Sequence, residues 1–361
     1  MVLFNFGMST LTNRNQGGTP MQRLLWTAAL ILMSLTSAGL AEGKKIGVAW
    51  GDLAQPRWRW DVTAMRSIIE RKGNKYLPFN AGGSAAKQLQ DIEQMMNEGV
   101  DAIVIQAVDK ETIMTSVERA AAAGIPMVAY DRLIEHPGVF YITFDNVGVG
   151  RLIAAIVKEK QPTGNYAIIK GDPGDANSDF LRQGMEEVIG AAVAGGQIRI
   201  IGEVYTDGWN PDAAKANMEK ILAENGNQVD AVLAENDGMA GGAIEALQAA
   251  GLTVPIGGQD GDPAALNRVA QGLQTVSVWK NSFDLAKQAG QVAVQLAEGT
   301  PMSLIPEARQ FSGGEKGVPV WSILLNPTAI TAESLDIVID AEHVTRKEVC
   351  KNALPSVAAC Q

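Results

Sequence analysis

The sequence predicts an α/β fold of two similar lobes, each built on a doubly wound parallel sheet. From Lys44 onward, short apolar runs alternate with amphipathic stretches, a pattern typical of buried parallel strands between helices. Glycines follow several helical patterns, where helices commonly end, at positions 99, 124, 251 and 272. The units are too many for one ordinary sheet, which favours two lobes.

The elements follow one another without a linker rich in Pro, Ser or Gly. The predicted strands are 46–50, 76–79, 102–105, 127–130, 139–144, 166–169, 198–205, 231–233, 255–257 and 275–278. The predicted helices include 85–97, 110–123, 148–160, 212–224, 238–250 and 283–296. Strand 139–144 is an extra strand before the next helix, so we place the change between lobes near 144–146.

Polar side chains follow three of the predicted strands at the point where each ends. They are Asp131 with Arg132, Asn236 with Asp237, and Asp260. Ligands of open α/β sheets bind beyond the carboxyl ends of the strands, and planar hydrogen-bonding groups suit a neutral, polyhydroxylated ligand. The alternative is that these residues only cap the next helices. For the set as a whole we favour binding.

Aromatic and basic residues follow other strands. Arg57 is placed to reach into a cleft, and Trp58 offers a face on which the C–H groups of a sugar can lie. We expect Trp60, by contrast, on the buried face of the first helix. Trp209 lies in a turn and is interpreted as a second stacking platform, with packing between domains as the alternative. Lys280 is a single basic residue at a strand end, and taken alone it is expected at the surface.

The segment after strand 166–169 is ambiguous. Asp172, Asp175 and Asn177 either shape a turn or point into the cleft, and the sequence does not decide between these roles. The first turn, 51–56, matches neither glycine-rich phosphate motif, which weighs against a nucleotide cofactor. We therefore predict no cofactor.

The N-terminus has the pattern of a cleavable secretory signal over residues 1–41. Arg23 precedes the apolar stretch 24–33, and small residues lead to cleavage after Ala41. The apolar stretch is about half of the roughly 20 residues that a spanning helix needs, so an uncleaved anchor is the weaker alternative. Translation from Met21 would give a signal of ordinary length. We expect a periplasmic location.

Charge and residue counts exclude several classes of function. The net charge of −10 argues against binding to nucleic acid or to an anionic membrane. Cys350 and Cys360 are expected to form a disulfide that closes the tail, with free thiols as the alternative. His136 and His343 have no metal-ligand spacing, and we expect both in solvated loops. We predict no metal site.

At these residues the chain resembles the periplasmic sugar-binding proteins of bacterial ABC importers, ribose/galactose type, and within them the xylose-binding and multiple-sugar-binding branches. The shared segments are 57–58, 88–99, 129–132, 143–146, 204–211, 235–247, 258–260 and 274–280. The resemblance implies the type I periplasmic binding protein fold, with Rossmann-like lobes joined by a three-crossing hinge. We expect one lobe over 44–147 plus 282–325, the other over 148–281 plus 326–349, and a tail over 350–361.

The resemblance also implies which side chains contact a bound monosaccharide. They are Arg57, Trp58, Asp131, Arg132, Asp175, Asn177, Trp209, Asn236, Asp260 and Lys280. For Asp175, Asn177 and Lys280, the assignment as sugar contacts depends mainly on the resemblance. The chain lacks the EF-hand-like calcium loop of the galactose-binding relatives. It departs from the xylose-binding relatives at 51–56, at Trp60 and in the tail.

The implied function is a monomeric, non-enzymatic receptor that delivers D-xylose to an inner-membrane ABC permease. Glucose, galactose and arabinose stay open, as does a broader multiple-sugar receptor that also signals to a membrane sensor or chemoreceptor. A sugar-responsive repressor would need an N-terminal helix-turn-helix where the signal pattern stands. A glycosidase would need an acid and a base set apart by their environments.

Overall fold

The computed structural model describes residues 43–54 and 57–361. The predicted signal peptide lies outside the described residues. None of the helices in the described part of the chain is both long and apolar enough to cross a membrane.

Thirteen strands and eleven α-helices build the described chain. The strands are β1 (Lys45–Trp50), β2 (Lys75–Asn80), β3 (Ala102–Ile105), β4 (Met127–Tyr130), β5 (Val139–Phe144), β6 (Gly164–Ile169), β7 (Ile198–Val204), β8 (Ala231–Ala234), β9 (Ile256–Asp260), β10 (Val276–Trp279), β11 (Arg309–Phe311), β12 (Val320–Leu325) and β13 (Thr328–Ile330). The helices are α1 (Trp58–Ile69), α2 (Ala85–Asn97), α3 (Met114–Ala122), α4 (Asn146–Lys160), α5 (Ala176–Ala194), α6 (Pro211–Glu224), α7 (Asp237–Ala249), α8 (Pro263–Ala270), α9 (Ser282–Ala297), α10 (Asp336–Asp340) and α11 (Arg346–Val349).

The strands form two sheets, one in each lobe. The first has the order β11-β12-β5-β4-β3-β1-β2, and the second has the order β13-β10-β9-β8-β6-β7. The chain passes between the sheets after β5, after β10 and after β12. The carboxyl ends of the parallel strands therefore collect polar side chains from distant parts of the sequence at one edge of each sheet.

The prediction of two α/β lobes on parallel sheets is confirmed, with one correction. An antiparallel strand closes one edge of each sheet, because β11 pairs antiparallel with β12 and β13 pairs antiparallel with β10. Both edge strands are three residues long. A run that short carries too little periodicity to be recognised in the sequence.

Both faces of the first sheet are buried along its central strands, which explains why β1, β3, β4 and β5 are mostly apolar. Along β1, Ile46 and Val48 pack with α1 and α9, whereas Ala49 faces the cluster that α2 and α3 cover. Burying one such aliphatic side chain contributes about 1.5–3 kcal/mol. Helix α9 covers the first sheet although it follows β10 of the second sheet, so residues just before α9 lie at a crossing.

The C-terminal segment packs on α8 of the second lobe. Its apolar residues form a buried cluster with Leu266 and Val269, and Asn267 donates hydrogen bonds to the carbonyls of Val349 and Lys351, at 2.8 and 2.7 Å. Cys350 and Cys360 form a disulfide, with their Cα atoms 5.3 Å apart. The tail is therefore docked on the lobe.

Two expectations about single residues are wrong. Trp60 is 38 % exposed and packs its ring beside Phe283, because α1 turns Trp58 and not Trp60 towards the core. His343 is 6 % exposed and is hydrogen-bonded to the carbonyl oxygen of Gly261. The docked C-terminal segment buries it, and a single sequence gives no sign of that docking.

Candidate functional site

One cavity lies where the carboxyl ends of the two sheets face each other. Its volume is about 20 Å³. The side chains that line it are Arg57, Trp58, Asp131, Arg132, Asp175, Asn177, Trp209, Asn236, Gln259, Asp260 and Lys280. All ten residues proposed from the sequence are therefore brought together, and Gln259 joins them.

The strand ends determine which lobe contributes each group. Arg57 and Trp58 begin α1 after β1, and Asp131 directly follows β4. The other lobe contributes residues after β6, β7 and β8, and Asp260 at the end of β9. Lys280 follows β10 at a crossing between the lobes, so it belongs to the hinge region and not to the surface.

Arg57 links carboxylates of the two lobes. Its Nη1 donates a hydrogen bond to Asp260 Oδ1 at 2.8 Å, and its Nη2 donates to Asp131 Oδ1 at 3.1 Å. Lys280 Nζ lies 3.3 Å from the same Asp131 oxygen. These side chains are almost fully buried, so their charges interact with little screening by water.

A second group of contacts joins the lobes beside the first. Arg132 Nε lies 3.0 Å from Asp175 Oδ2. Asn177 Nδ2 donates to the Asp131 carbonyl oxygen at 3.1 Å, and Asn177 Oδ1 accepts from Asn146 Nδ2 at 2.8 Å. Arg132, Asp175 and Asn177, which the resemblance implies as sugar contacts, therefore meet at the interface of the lobes.

Formal charges in the cavity balance. Three cationic side chains stand against three carboxylates; these are Arg57, Arg132 and Lys280, and Asp131, Asp175 and Asp260. A charged ligand would itself lack a counter-charge in this balanced, buried site, which is costly. The lining favours a neutral ligand with many hydroxyl groups.

The charges shift the pKa values of the lining groups. Burial alone raises the pKa of Asp131, but Arg57, Lys280 and Arg132 outweigh it and hold that pKa below its usual range. Burial lowers the pKa of Arg57, yet Asp131 and Asp260 raise it above its ordinary value. For Asp175, burial raises the pKa more than Arg132 lowers it. Arg57 and Asp131 are therefore charged at neutral pH.

Two tryptophans supply the apolar surface of the cavity. Trp58 packs against Tyr130, with ring centroids 6.5 Å apart, and the Arg57 guanidinium lies 4.1 Å from the Trp58 ring centroid. Trp209 lies against the backbone of Gly171, where a Cβ would come within 2.3 Å of the indole. Both rings are thus held by their surroundings and present fixed aromatic surfaces.

Three lining residues have a backbone conformation that side chains seldom adopt. The φ angles are 63° at Asp131, 57° at Trp209 and 108° at Asp260. Such conformations persist where surrounding contacts over-determine them, and they concentrate at functional sites. Their presence in one cavity supports a binding role for it.

The structure decides between capping and binding positions residue by residue. Asn236 Oδ1 caps α7 by accepting from Met239 N at 2.7 Å, and Asp175 caps α5 by accepting from Asn177 N at 3.0 Å. Both also line the cavity. Asp131 and Asp260 cap no helix. Asp172 shapes its turn, because its carboxylate accepts from the backbone amides of residues 174 and 208.

Gln259 is the lining residue that the sequence argument missed. It is buried within β9, and its Oε1 has no hydrogen-bond partner among the described residues. Its neighbour Asp260 marked the strand end, but a glutamine inside a strand gives no comparable signal. An amide with an unpaired oxygen at a cavity is suited to a hydroxyl partner.

The chain is similar in sequence to periplasmic sugar-binding proteins of bacteria. A family model described as a periplasmic binding protein domain matches residues 46–301. The D-xylose-binding periplasmic protein of Escherichia coli is 38 % identical over 318 residues, 87 % of this chain and 94 % of that protein. The D-xylose-binding periplasmic protein of Haemophilus influenzae is 35 % identical over 327 residues, 90 % of this chain and 97 % of that protein. The multiple sugar-binding periplasmic receptor of Rhizobium radiobacter is 29 % identical over 332 residues, 86 % of this chain and 93 % of that protein.

Solved structures share the fold. An ABC transporter solute-binding protein from Clostridium phytofermentans, with bound β-D-glucose, superposes with a TM-score of 0.78 at 28 % identity, covering 85 % of this chain and 100 % of that one. A carbohydrate transporter solute-binding protein from Chloroflexus aurantiacus, in complex with D-glucose, superposes with a TM-score of 0.75 at 26 % identity. The match covers 84 % of this chain and 97 % of that one.

Proposed function

Because the chain belongs to the periplasmic binding protein family, we propose that it is a periplasmic receptor that binds one monosaccharide in the cavity between its lobes and delivers it to an ABC importer. The family consists of binding proteins, and the chain is not an enzyme. D-xylose is the sugar we propose first, since the relatives at 38 % and 35 % identity are named for it.

The observation that carries the proposal is the charge-balanced, aromatic-walled cavity. A sugar has apolar C–H faces and a rim of hydroxyl groups. Trp58 and Trp209 would cover the faces, while the charged side chains and the amides would bond the rim. Hydrogen bonds to charged partners contribute about 1.5–3 kcal/mol each, which makes this rim the main source of affinity.

The expected affinity is consistent with the size of the ligand. A micromolar dissociation constant corresponds to about 8 kcal/mol. For a pentose of about ten heavy atoms this is about 0.8 kcal/mol per atom, below the ceiling of about 1.5 for very small ligands. Such efficiency requires that nearly every hydroxyl is paired, and closure of the lobes around the sugar accomplishes this by excluding water.

Three further elements of the proposal come from the family and from the sequence. The signal pattern in residues 1–41 would direct the chain to the periplasm. The receptor would act as a monomer and dock on an inner-membrane permease. A broader multiple-sugar receptor that also signals to a membrane sensor is the alternative, supported by the multiple-sugar relative.

Intrinsic tryptophan fluorescence of the mature chain, titrated with xylose, arabinose, glucose and galactose, tests the proposal. Trp58 and Trp209 line the cavity, so a bound sugar should change the emission. A saturable response at micromolar xylose, with weaker responses to the hexoses, is expected. Similar responses to all four sugars would favour the multiple-sugar alternative. No response to any sugar would contradict the proposed ligand class.

A further inference from the structure

The carboxylate of Asp260 depends on a backbone turn with an unusual conformation. Asp260 ends β9 with a φ of 108°, and Gly261 follows with a φ of 76°. A Cβ on Gly261 would come within 2.4 Å of Trp279 Cδ1, so this backbone lies directly against the indole. Since an aspartate adopts such a φ only when its surroundings impose it, other groups must hold the turn.

The amide side of this turn is held from within the second lobe. Gly261 N donates to Asp237 Oδ2 and to Ser277 Oγ, both at 3.1 Å, and Asp262 N donates to Asp237 Oδ2 at 3.0 Å. Ser277 Oγ also donates to the same Asp237 oxygen at 2.5 Å. These bonds hold the N–H edge of the peptide between Gly261 and Asp262, whose carbonyl lies on the opposite edge of the same plane and takes its own partner.

That partner comes from the C-terminal segment. His343 Nε2 lies 2.9 Å from the Gly261 carbonyl oxygen, so this nitrogen carries the proton and donates. The ring is buried, and its centroid lies 5.4 Å from that of Trp279 and 6.5 Å from that of Trp60. Its Nδ1 has no partner among the described residues. The ring is therefore held by aromatic packing and makes one directed hydrogen bond.

The segment that carries His343 is itself anchored. His343 N donates to the Val338 carbonyl at 3.0 Å, and Leu354 N donates to the Ala270 carbonyl at 2.9 Å. Val338 and Val344 belong to the buried cluster on α8. An anchored donor can hold the turn in place, whereas a donor on a free tail could not.

We propose that His343 is a positioning residue of the sugar site: its Nε2–H holds the Gly261 carbonyl and thereby keeps the Asp260 carboxylate directed at Arg57 and at the sugar. Its effect on affinity rests on the proposed function. The arrangement gives the C-terminal segment a role in binding, because the segment reaches the cavity through this hydrogen bond.

Two substitutions at His343 separate the hydrogen bond from the bulk of the ring. In His343→Gln the side-chain amide nitrogen lies as many bonds from the backbone as Nε2 does, so the donor is kept. His343→Leu fills the space of the ring with an apolar side chain and removes the donor. His136→Leu is the matched control, because His136 is half-buried, accepts from Gly138 N at 3.1 Å, and does not line the cavity.

Two measurements are made on each variant. Calorimetry gives the xylose dissociation constant. Hydrogen exchange without sugar gives the exchange rates of the backbone amides of residues 261 and 262. Losing one neutral hydrogen bond corresponds to a loss of about 2- to 12-fold in affinity, which we expect for His343→Leu together with faster exchange. His343→Gln should stay near the wild type in both measurements, and His136→Leu should change neither.

Equal losses for His343→Gln and His343→Leu would overturn the inference, as would an unchanged His343→Leu. If His343→Leu does not fold, His343→Asn replaces it, because the shorter amide cannot reach the carbonyl. If the wild type binds no sugar, the proposed function fails, and the exchange rates still decide whether His343 holds the turn.

Discussion

Arg57 of the first lobe donates a hydrogen bond across the cleft to Asp260 of the second lobe, over 2.8 Å. The same guanidinium bonds Asp131, so one cation connects carboxylates that are far apart in sequence. A ligand that bonds these groups would contact both lobes simultaneously. Binding and closure of the lobes are therefore expected to be coupled.

Removing the charge of Asp131 should weaken sugar binding strongly. Asp131→Asn leaves Arg57 and Lys280 without a shared carboxylate and removes a charged acceptor. We expect affinity to fall about 10- to 150-fold, the equivalent of about 1.5–3 kcal/mol, in calorimetric titration with xylose. Asp212→Asn, an exposed position in α6, is the control and should bind as the wild type does. Wild-type affinity in Asp131→Asn would refute the assignment of this residue.

Trp209 should contribute through its aromatic surface. We expect Trp209→Ala to weaken binding by about 1–3 kcal/mol and Trp209→Phe to lose much less, because a ring remains over the sugar. Trp321→Ala, at a half-buried position of β12 outside the cavity, is the control. Affinity that is the same in Trp209→Ala and in the wild type would return Trp209 to a packing role.

The stability of the protein should depend on pH through Asp61. Burial raises the pKa of Asp61 to about 7, although the Arg57 charge and the Tyr130 hydrogen bond oppose the increase. The folded state therefore keeps a proton that the unfolded chain releases above about pH 4. The contribution of Asp61 to the free energy of unfolding falls as pH rises from about 4 to 7, by at most about 1.4 kcal/mol per pH unit.

Urea unfolding of the wild type and of Asp61→Asn at a series of pH values checks this prediction. The asparagine keeps an oxygen that can accept from Tyr130 and removes the titration. Other buried carboxyl groups, such as Asp237, are present in both proteins and cancel in the difference. The stability of the wild type relative to the variant should decline between pH 4 and 7; a constant difference would contradict the account.

The disulfide should stabilise the docking of the tail. In the chain-entropy model, closing a loop of this length contributes about 2.5–3 kcal/mol, or about 100-fold in the opening equilibrium. The double variant Cys350→Ser/Cys360→Ser should exchange the Leu354 amide about that much faster, as measured by hydrogen exchange. Wild-type protein treated with a reductant should behave likewise. Unchanged protection of Leu354 would show that the apolar cluster suffices.

Much of the site could be predicted because parallel strands place their carboxyl ends at one edge. That rule selects Asp131, Asn236 and Asp260 from the sequence alone, and the structure puts all three on one cavity. Lys280 could not be selected in this way. A lysine after a strand is ordinarily solvated, and its burial follows from the crossing between the lobes.

The sequence is least informative where tertiary packing decides a role. Gln259 lies inside a strand and carries no end signal. His343 is buried because a short C-terminal segment docks on α8, a contact between residues that are distant in sequence. The edge strands β11 and β13 are likewise determined by pairing partners and not by their own three residues.

The most direct test of the account is a calorimetric titration of the mature wild-type chain with D-xylose. We expect saturable binding of one sugar per chain with a dissociation constant in the micromolar range. Absence of saturable heat with xylose, arabinose, glucose and galactose alike would contradict it.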